Sequence, residues 1–429
     1  MTISLDQFVR QVIQSGAMSA EETSRYQDTF PPEKRPQDTE ALAREMIRDE
    51  KLTEYQTRLI LQGKASELIL GEYLLLYKIG KGGMGEVFKG FHRRLERFAA
   101  LKVLRRDTFG STCSIKRFLQ EVKVAARLNH RNIVATYDAG EQNGVHYLAM
   151  EYVDGCDLEA LLKAHGPLPV PHVLDYVMQT AEGLQYAHSR NVLHRDIKPS
   201  NLLLSSEGVI KILDMGLARI AEGDDANAGA TLAERLTRAG QMLGTIDYIS
   251  PEQAKDTRSA DHRSDIYSLG CTMYSLLTGK TVYRGDTDIV KVMAHCEAPI
   301  PSLRETRPDV PEQLDQALRK MVAKKPEDRY QTMADVIAAL ETCRDSGAPI
   351  GQPTWETFRI DRRSSDWSPC DATVGRWRDG PPLAAGPLES SFLADTTTGT
   401  KAAFADDDPL ATDPEQPTRD GRPSTQHDP

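Results

Sequence analysis

Residues 73–104 restrict the fold more than any other part of the chain. Short β-rich runs at 73–79, 85–91 and 98–104 follow one another, and the first two are joined by Gly80-Lys81-Gly82-Gly83-Met84-Gly85-Glu86-Val87. A glycine turn between a strand and a helix would suit a dinucleotide site, but here a second strand follows, which predicts a hairpin flap. Glycines have no Cβ, so backbone N–H groups in such a flap can approach phosphate oxygens closely. The next run, Ala99-Ala100-Leu101-Lys102, places a lysine in an apolar strand. Burying that ammonium is costly unless it is paired, and the plain alternative is a surface lysine that snorkels to water.

A second constellation lies at Leu193-His-Arg-Asp-Ile-Lys-Pro-Ser-Asn201, followed by Asp214-Met215-Gly216. It sets an acid (Asp196), a cation (Lys198) and a carboxamide (Asn201) on one short loop, which is what holding a hydroxyl, a phosphate and a metal together requires. Taken singly, His194 reads as a core histidine and Asp214 as a turn residue. In order and spacing, Gly80, Gly82, Gly85, Lys102, Glu121, Asp196, Asn201 and Asp214 resemble the protein kinase family, of the serine/threonine type found in bacteria and eukaryotes. The resemblance covers residues 73–343.

It implies an α+β, bilobal protein kinase-like fold with a small β-rich N-lobe, a larger helical C-lobe, an N-terminal helical segment and a disordered C-terminal tail. The expected division is 1–66 helical appendage, 67–345 kinase domain and 346–429 tail. The implied activity is ATP- and Mg2+-dependent phosphorylation of protein Ser/Thr hydroxyls. Asp196 would accept or orient the hydroxyl proton, Lys198 would neutralise the γ-phosphate, and Asn201 and Asp214 would be the Mg2+ ligands. The implied ATP site comprises Ile79, Gly80, Lys81, Gly82, Gly83, Met84, Gly85, Val87, Ala100, Lys102, Glu121, Met150, Glu151, Val153, Asp157 and Leu203. In that set Lys102 pairs with Glu121 on a helix over 115–128. Met150 is the gatekeeper, residues 151–153 offer backbone bonds to the base, and Asp157 meets the ribose.

The resemblance also marks residues 220–243 as the activation segment. Thr237 is the first choice for an activating phosphate, Thr231 the second, and Arg195 a cation able to pair with it. Glu252 of Ser250-Pro251-Glu252 should form a buried pair with Arg329, and Asp265 should anchor the catalytic loop. One departure is Met215, where the family usually has phenylalanine; methionine fills a similar space but specifies it less firmly. Two rivals are a pseudokinase scaffold, which only Met215 favours, and a small-molecule phosphotransferase, against which Thr245 and Ser250-Pro251-Glu252 count.

The bulk properties are consistent with a soluble protein of two or three domains in 429 residues. A net charge of −10 argues against a general nucleic-acid binder, because phosphate backbones demand a basic face, and leaves room for a local basic groove. No apolar run reaches the roughly 18 residues of a membrane span, and no basic-then-apolar leader opens the chain, so a cytoplasmic protein is expected. The six cysteines are scattered and read as reduced structural thiols. Before residue 67, Leu5, Phe8, Val9, Val12 and Ile13 share a helical face, a second stretch runs through Leu42 and Met46, and a third begins at the Thr53-Glu-Tyr-Gln capping box and ends at Gly63. This segment is either a weakly packed appendage or an interaction domain. After Cys343 the chain turns Pro/Gly/Ser/Thr/Asp-rich, with Trp355, Trp367 and Trp377 as candidate docking motifs. Protein substrates are the expected partners, and a homodimer for trans-autophosphorylation is compatible with this reading.

Overall fold

Side-chain caps open the helices of the N-terminal segment. In the computed structural model, which describes residues 3–82, 85–104, 120, 122–215, 246–256 and 260–345, these are α1 (Leu5–Gln14), α2 (Ala20–Asp28), α3 (Thr39–Arg48) and α4 (Glu54–Leu61). Ser4, Ser19, Asp38 and Thr53 accept bonds from the amides of Gln7, Glu22, Ala41 and Gln56, each satisfying a donor that the helix start leaves open. The sequence reading missed α2. Its Ser19–Glu22 capping box is present, but only Thr23 and Tyr26 are buried, so its apolar period is faint.

The strands that follow are β1 (Ile69–Leu70), β2 (Tyr73–Gly82), β3 (Gly85–His92), β4 (Arg97–Leu104), β5 (Thr136–Gln142) and β6 (Val145–Glu151). They form an antiparallel sheet in the order β1-β2-β3-β4-β6-β5. One face of this sheet is covered by the N-terminal helices. Phe8, Val12, Met46, Ile60 and Leu68 belong to a single apolar cluster with Leu74, Phe88, Phe91, Leu101 and Ala149. Burying each such side chain contributes about 1.5–3 kcal/mol. Gln142 adds a polar clasp, accepting from the Gly71 amide at 2.5 Å and donating to the Ile69 carbonyl at 3.1 Å.

Beyond β6 the chain becomes mainly helical. The small sheet β7 (Gly155–Asp157), β8 (Leu202–Ser205) and β9 (Ile210–Ile212) lies beside the helices Leu158–His165 and Val170–His188. The helix His262–Thr278 is buried on all sides from Ser264 to Thr278, as a helix at the centre of a lobe must be. Gly270 makes that possible, because a Cβ there would lie 2.7 Å from Val322 Cγ1. Among the described residues, no helix is long and apolar enough to cross a membrane. Cys156, Cys271, Cys296 and Cys343 are free thiols, and burial pushes Cys271 up to about 12. Residues 346–429, expected as a disordered tail, lie outside the described residues.

Glu252 and Arg329 form the buried pair the sequence led us to expect. Two guanidinium nitrogens donate to the two carboxylate oxygens at 2.6 and 2.7 Å, and Ser264 Oγ adds a third bond. Burial pushes the Glu252 carboxyl up, but the Arg329 guanidinium more than offsets it, so the group is held below its ordinary range. Such a carboxylate stabilises the fold above its unfolded pKa, and the contribution is lost as pH falls through the folded value. Glu252→Gln should therefore cost about 3 kcal/mol at neutral pH, by leaving a buried cation uncompensated. Urea unfolding at pH 7 and at pH 4 checks this: the difference between parent and variant should shrink at the lower pH.

Candidate active site

The catalytic loop is fixed by a buried acid outside it. Asp265, in the first turn of the helix His262–Thr278, accepts from the His194 amide at 3.0 Å and the Arg195 amide at 2.7 Å, and its Oδ2 lies 2.8 Å from His188 Nε2. Burial pushes the Asp265 carboxyl up, yet the His188 contact outweighs this and holds it below its ordinary value. These bonds support Arg195 in a left-handed conformation (φ 68°), which a non-glycine residue keeps only where its surroundings impose it. Gln253 adds a bond to the Arg195 carbonyl at 2.9 Å. His194 is fully buried and bridges two segments: its Nδ1 accepts from the Asp196 amide, and its Nε2 lies 2.7 Å from the Leu213 carbonyl.

This bracing sets out the polar groups. Asp196 Oδ2 receives Lys198 Nζ at 2.8 Å and Asn201 Nδ2 at 3.1 Å, while Asn201 Nδ2 also donates to the Asp196 carbonyl at 2.7 Å. With its nitrogen so committed, the Asn201 carboxamide has its oxygen as the end able to meet a cation. Asp196 Oδ1 is buried and has no hydrogen-bond partner among the described residues. A buried carboxylate oxygen without a donor is costly, and a catalytic role, a bound ion or an ordered water each accounts for one.

Asp214 is also left-handed (φ 54°) and binds Lys102, whose Nζ lies 2.8 Å from Oδ1 and 2.7 Å from Oδ2. Burial pushes the Asp214 carboxyl up, but the adjacent ammonium more than compensates and holds it low. Lys102 thus has a carboxylate partner in Asp214; Glu121, the partner expected from sequence, lies outside the described residues. Gly83, Met84, Thr231, Thr237 and Thr245 lie outside them too. Met215 is buried and lines a small cavity with Val122, Ala125, Val134, Thr136, Leu148 and Met150.

The apolar part of the predicted ATP site is assembled in one place. Ala100 and Met150 share a cluster with Ile79, Val87 and Val153. Leu203 stands opposite Asp157 in the β7–β8 ladder. Asp157 caps the helix Leu158–His165, its Oδ1 accepting the Ala160 amide at 2.8 Å, and burial raises its carboxyl above the ordinary range. The Glu151 side chain is engaged by Lys211 Nζ at 2.6 Å and the Ala135 amide at 3.1 Å, and the Glu151 amide donates to the Ala135 carbonyl at 2.8 Å. The glycines divide by function. A Cβ on Gly85 would meet the Val103 carbonyl at 2.0 Å, so the sheet itself requires that glycine, whereas one on Gly80 would reach only Val87 Cβ at 3.7 Å. Lys89 escaped the sequence reading. It is buried, with Nζ 4.3 Å from the Phe98 ring and 4.1 Å from the Tyr152 ring, a cation held by aromatic faces beside the chain that leaves β6. Its spacing of two from Val87, on the same strand face, was the available signal.

Comparison with known proteins agrees with this geometry. The model of the protein kinase domain matches residues 73–339. The serine/threonine-protein kinase PrkC of Bacillus subtilis is 36% identical over 278 residues, covering 65% of this chain and 41% of that protein. PknB of Mycobacterium leprae is 35% identical over 325 residues, covering 70% and 50%. The chain therefore spans about two fifths to one half of the length of these curated relatives. Among solved structures, the crystal structure of the Mycobacterium tuberculosis PknI kinase domain is 29% identical with a TM-score of 0.50, covering 64% of this chain and 97% of that one. The matched region takes in the glycine hairpin, Lys102, the Asp265-braced loop and Asp214 together, and the chain belongs to the protein kinase family.

Proposed function

We propose that this chain transfers the γ-phosphate of ATP to serine and threonine hydroxyls of proteins, with Mg2+ as the metal. The observation that carries the reading is the buried Asp196 Oδ1, without a partner among the described residues and held beside a cation and a carboxamide. A substrate hydroxyl placed there would donate its proton to Oδ1 and be aimed for attack. Little more is asked of a base, because the transferring phosphoryl group is loosely bonded in its transition state.

The residues present fit the nucleotide and its metal. Gly80 has room for a Cβ within the protein, so its bareness suits a ligand approaching from the cleft rather than the packing of the sheet. Ile79, Val87, Ala100 and Met150 offer an apolar slot for a flat base. Asn201 and Asp214 would hold Mg2+ through hard oxygens, and Lys102 would hold the α and β phosphates. Mg–ATP supplies the phosphoryl group with its charge partly neutralised. Lys198, already at Asp196, would stabilise the charge that grows on the phosphate. Free thiols in the described residues accord with a reducing, cytoplasmic setting. Phosphorylation of Thr237, or of Thr231, read by Arg195, is the mode of activation we favour, with one copy of the chain acting on another.

Asp196→Asn should lower the rate of phosphate transfer by about 10²–10⁴-fold, with nucleotide affinity little changed. Purified parent and variant incubated with ATP and Mg2+, with added phosphate mapped by mass spectrometry, provide the test. Phosphate on Thr237 in the parent alone supports the whole reading, whereas ATP binding with no transfer by the parent to itself or to protein substrates sinks it. Lys102→Met should act differently. It removes the ammonium that holds the Asp214 carboxyl low and the contact to the phosphates, so kcat/KM for ATP should fall by at least about 100-fold, a loss on the order of 3 kcal/mol of transition-state stabilisation. Steady-state kinetics over a range of ATP concentrations measures it.

A further inference from the structure

The N-terminal helices do more than cover the sheet. In the β2–β3 ladder, Leu75 faces Gly90 and Tyr77 faces Lys89, so Leu76 is an extra residue on β2; a second irregularity falls between Lys78 and Gly80. A bulge bends its strand, increases the twist and re-aims the side chains that follow. Here Leu74, Leu75 and Leu76 are all buried in the cluster shared with the helices, while Ile79 packs with Val87 in the cleft cluster. The bulge lies four positions before Gly80.

What holds the bulge is the capping box of α4. Thr53 Oγ1 accepts the Gln56 amide at 3.1 Å and donates to the Leu76 carbonyl at 2.5 Å. Gln56 Oε1 accepts the Thr53 amide at 3.0 Å, and its Nε2 donates to the Leu75 carbonyl at 2.9 Å. Both side chains are buried. The hydroxyl and both ends of the carboxamide are thus in use, half for starting the helix and half for gripping the strand. A glutamate at 56 could close the box as well, but an ionised carboxylate has no proton to give Leu75. The choice of glutamine is therefore chemically specific to the grip.

We propose that Thr53 and Gln56 are positioning residues for the nucleotide: by fixing the β2 bulge they aim the glycine loop, and the N-terminal helices become part of the ATP-binding apparatus. This rests on the kinase reading above and assigns the helical segment a place in it. Without the grip, two buried carbonyls lose their donors and the strand leading to Gly80 is free to relax.

The test is the affinity of the full chain for a non-hydrolysable ATP analogue with Mg2+, measured by titration calorimetry. Thr53→Val and Gln56→Glu should each weaken binding by about five-fold, the equivalent of one net hydrogen bond. Thr53→Ser should restore parental affinity. Tyr26→Phe, which removes a 2.9 Å bond to Asp49 inside the helical segment and away from β2, should leave affinity unchanged while lowering the unfolding midpoint. If Thr53→Val does not fold, Gln56→Glu, which keeps the capping box, carries the comparison. Equal affinity in parent, Thr53→Val and Gln56→Glu, or an equal loss in Tyr26→Phe, overturns the proposal. Because binding is read without turnover, a parent that binds the analogue but transfers no phosphate would refute the kinase reading alone.

Discussion

A single buried carboxylate, Asp265, is the fixed point of the site. It accepts two consecutive amides of the catalytic loop and meets His188, and the left-handed Arg195 persists because those contacts leave the loop no cheaper shape. From that constraint follow the position of His194, its bridge to the Leu213 carbonyl, and the setting of Asp196, Lys198 and Asn201. The acid that organises the chemistry thus takes no part in it. It sits in a helix buried on every side, where the protein is least able to move.

The other half of the site is held by different physics. Where the loop over 193–201 is fixed by charge and backbone amides, the β2–β3–β4 sheet is fixed by apolar burial on one side and by the close approach of backbones on the other. Gly85 lies against the Val103 carbonyl, Ala100 against the cleft cluster, and Leu101 against the N-terminal helices. Lys102 belongs to both halves, since it leaves an apolar strand and ends on Asp214 beside the catalytic loop.

Much of this was legible in sequence because the site residues occur in compact motifs whose chemistry needs fixed types at fixed spacing. The hairpin over 80–87, the loop over 193–201 and the Glu252–Arg329 pair could be named before any coordinates. What could not be read were contacts between residues far apart in the chain. The contact of Lys102 with Asp214 joins residues 112 positions apart, and no local spacing announces it. The bulge at Leu76 was hidden for a related reason, since it exists only in the register of β2 against β3. Helix α2 was missed because its caps are local and visible but its buried face is too small to impose a period. Lys89 was overlooked because its spacing from Val87 gives the strand face but not the rings of Phe98 and Tyr152 that surround the ammonium.

The shared apolar cluster between the N-terminal helices and the sheet separates two meanings of the word domain. The region that matches the kinase family begins at residue 73, yet the hydrophobic interior to which Leu74, Phe88, Phe91 and Leu101 belong begins at Phe8. Cutting the chain at the family boundary would strip one side of that interior and turn a core into an adhesive surface. For this protein the unit of descent and the unit of folding have different first residues, and a length of chain that carries none of the catalytic motifs is nonetheless built into the foundation on which they stand.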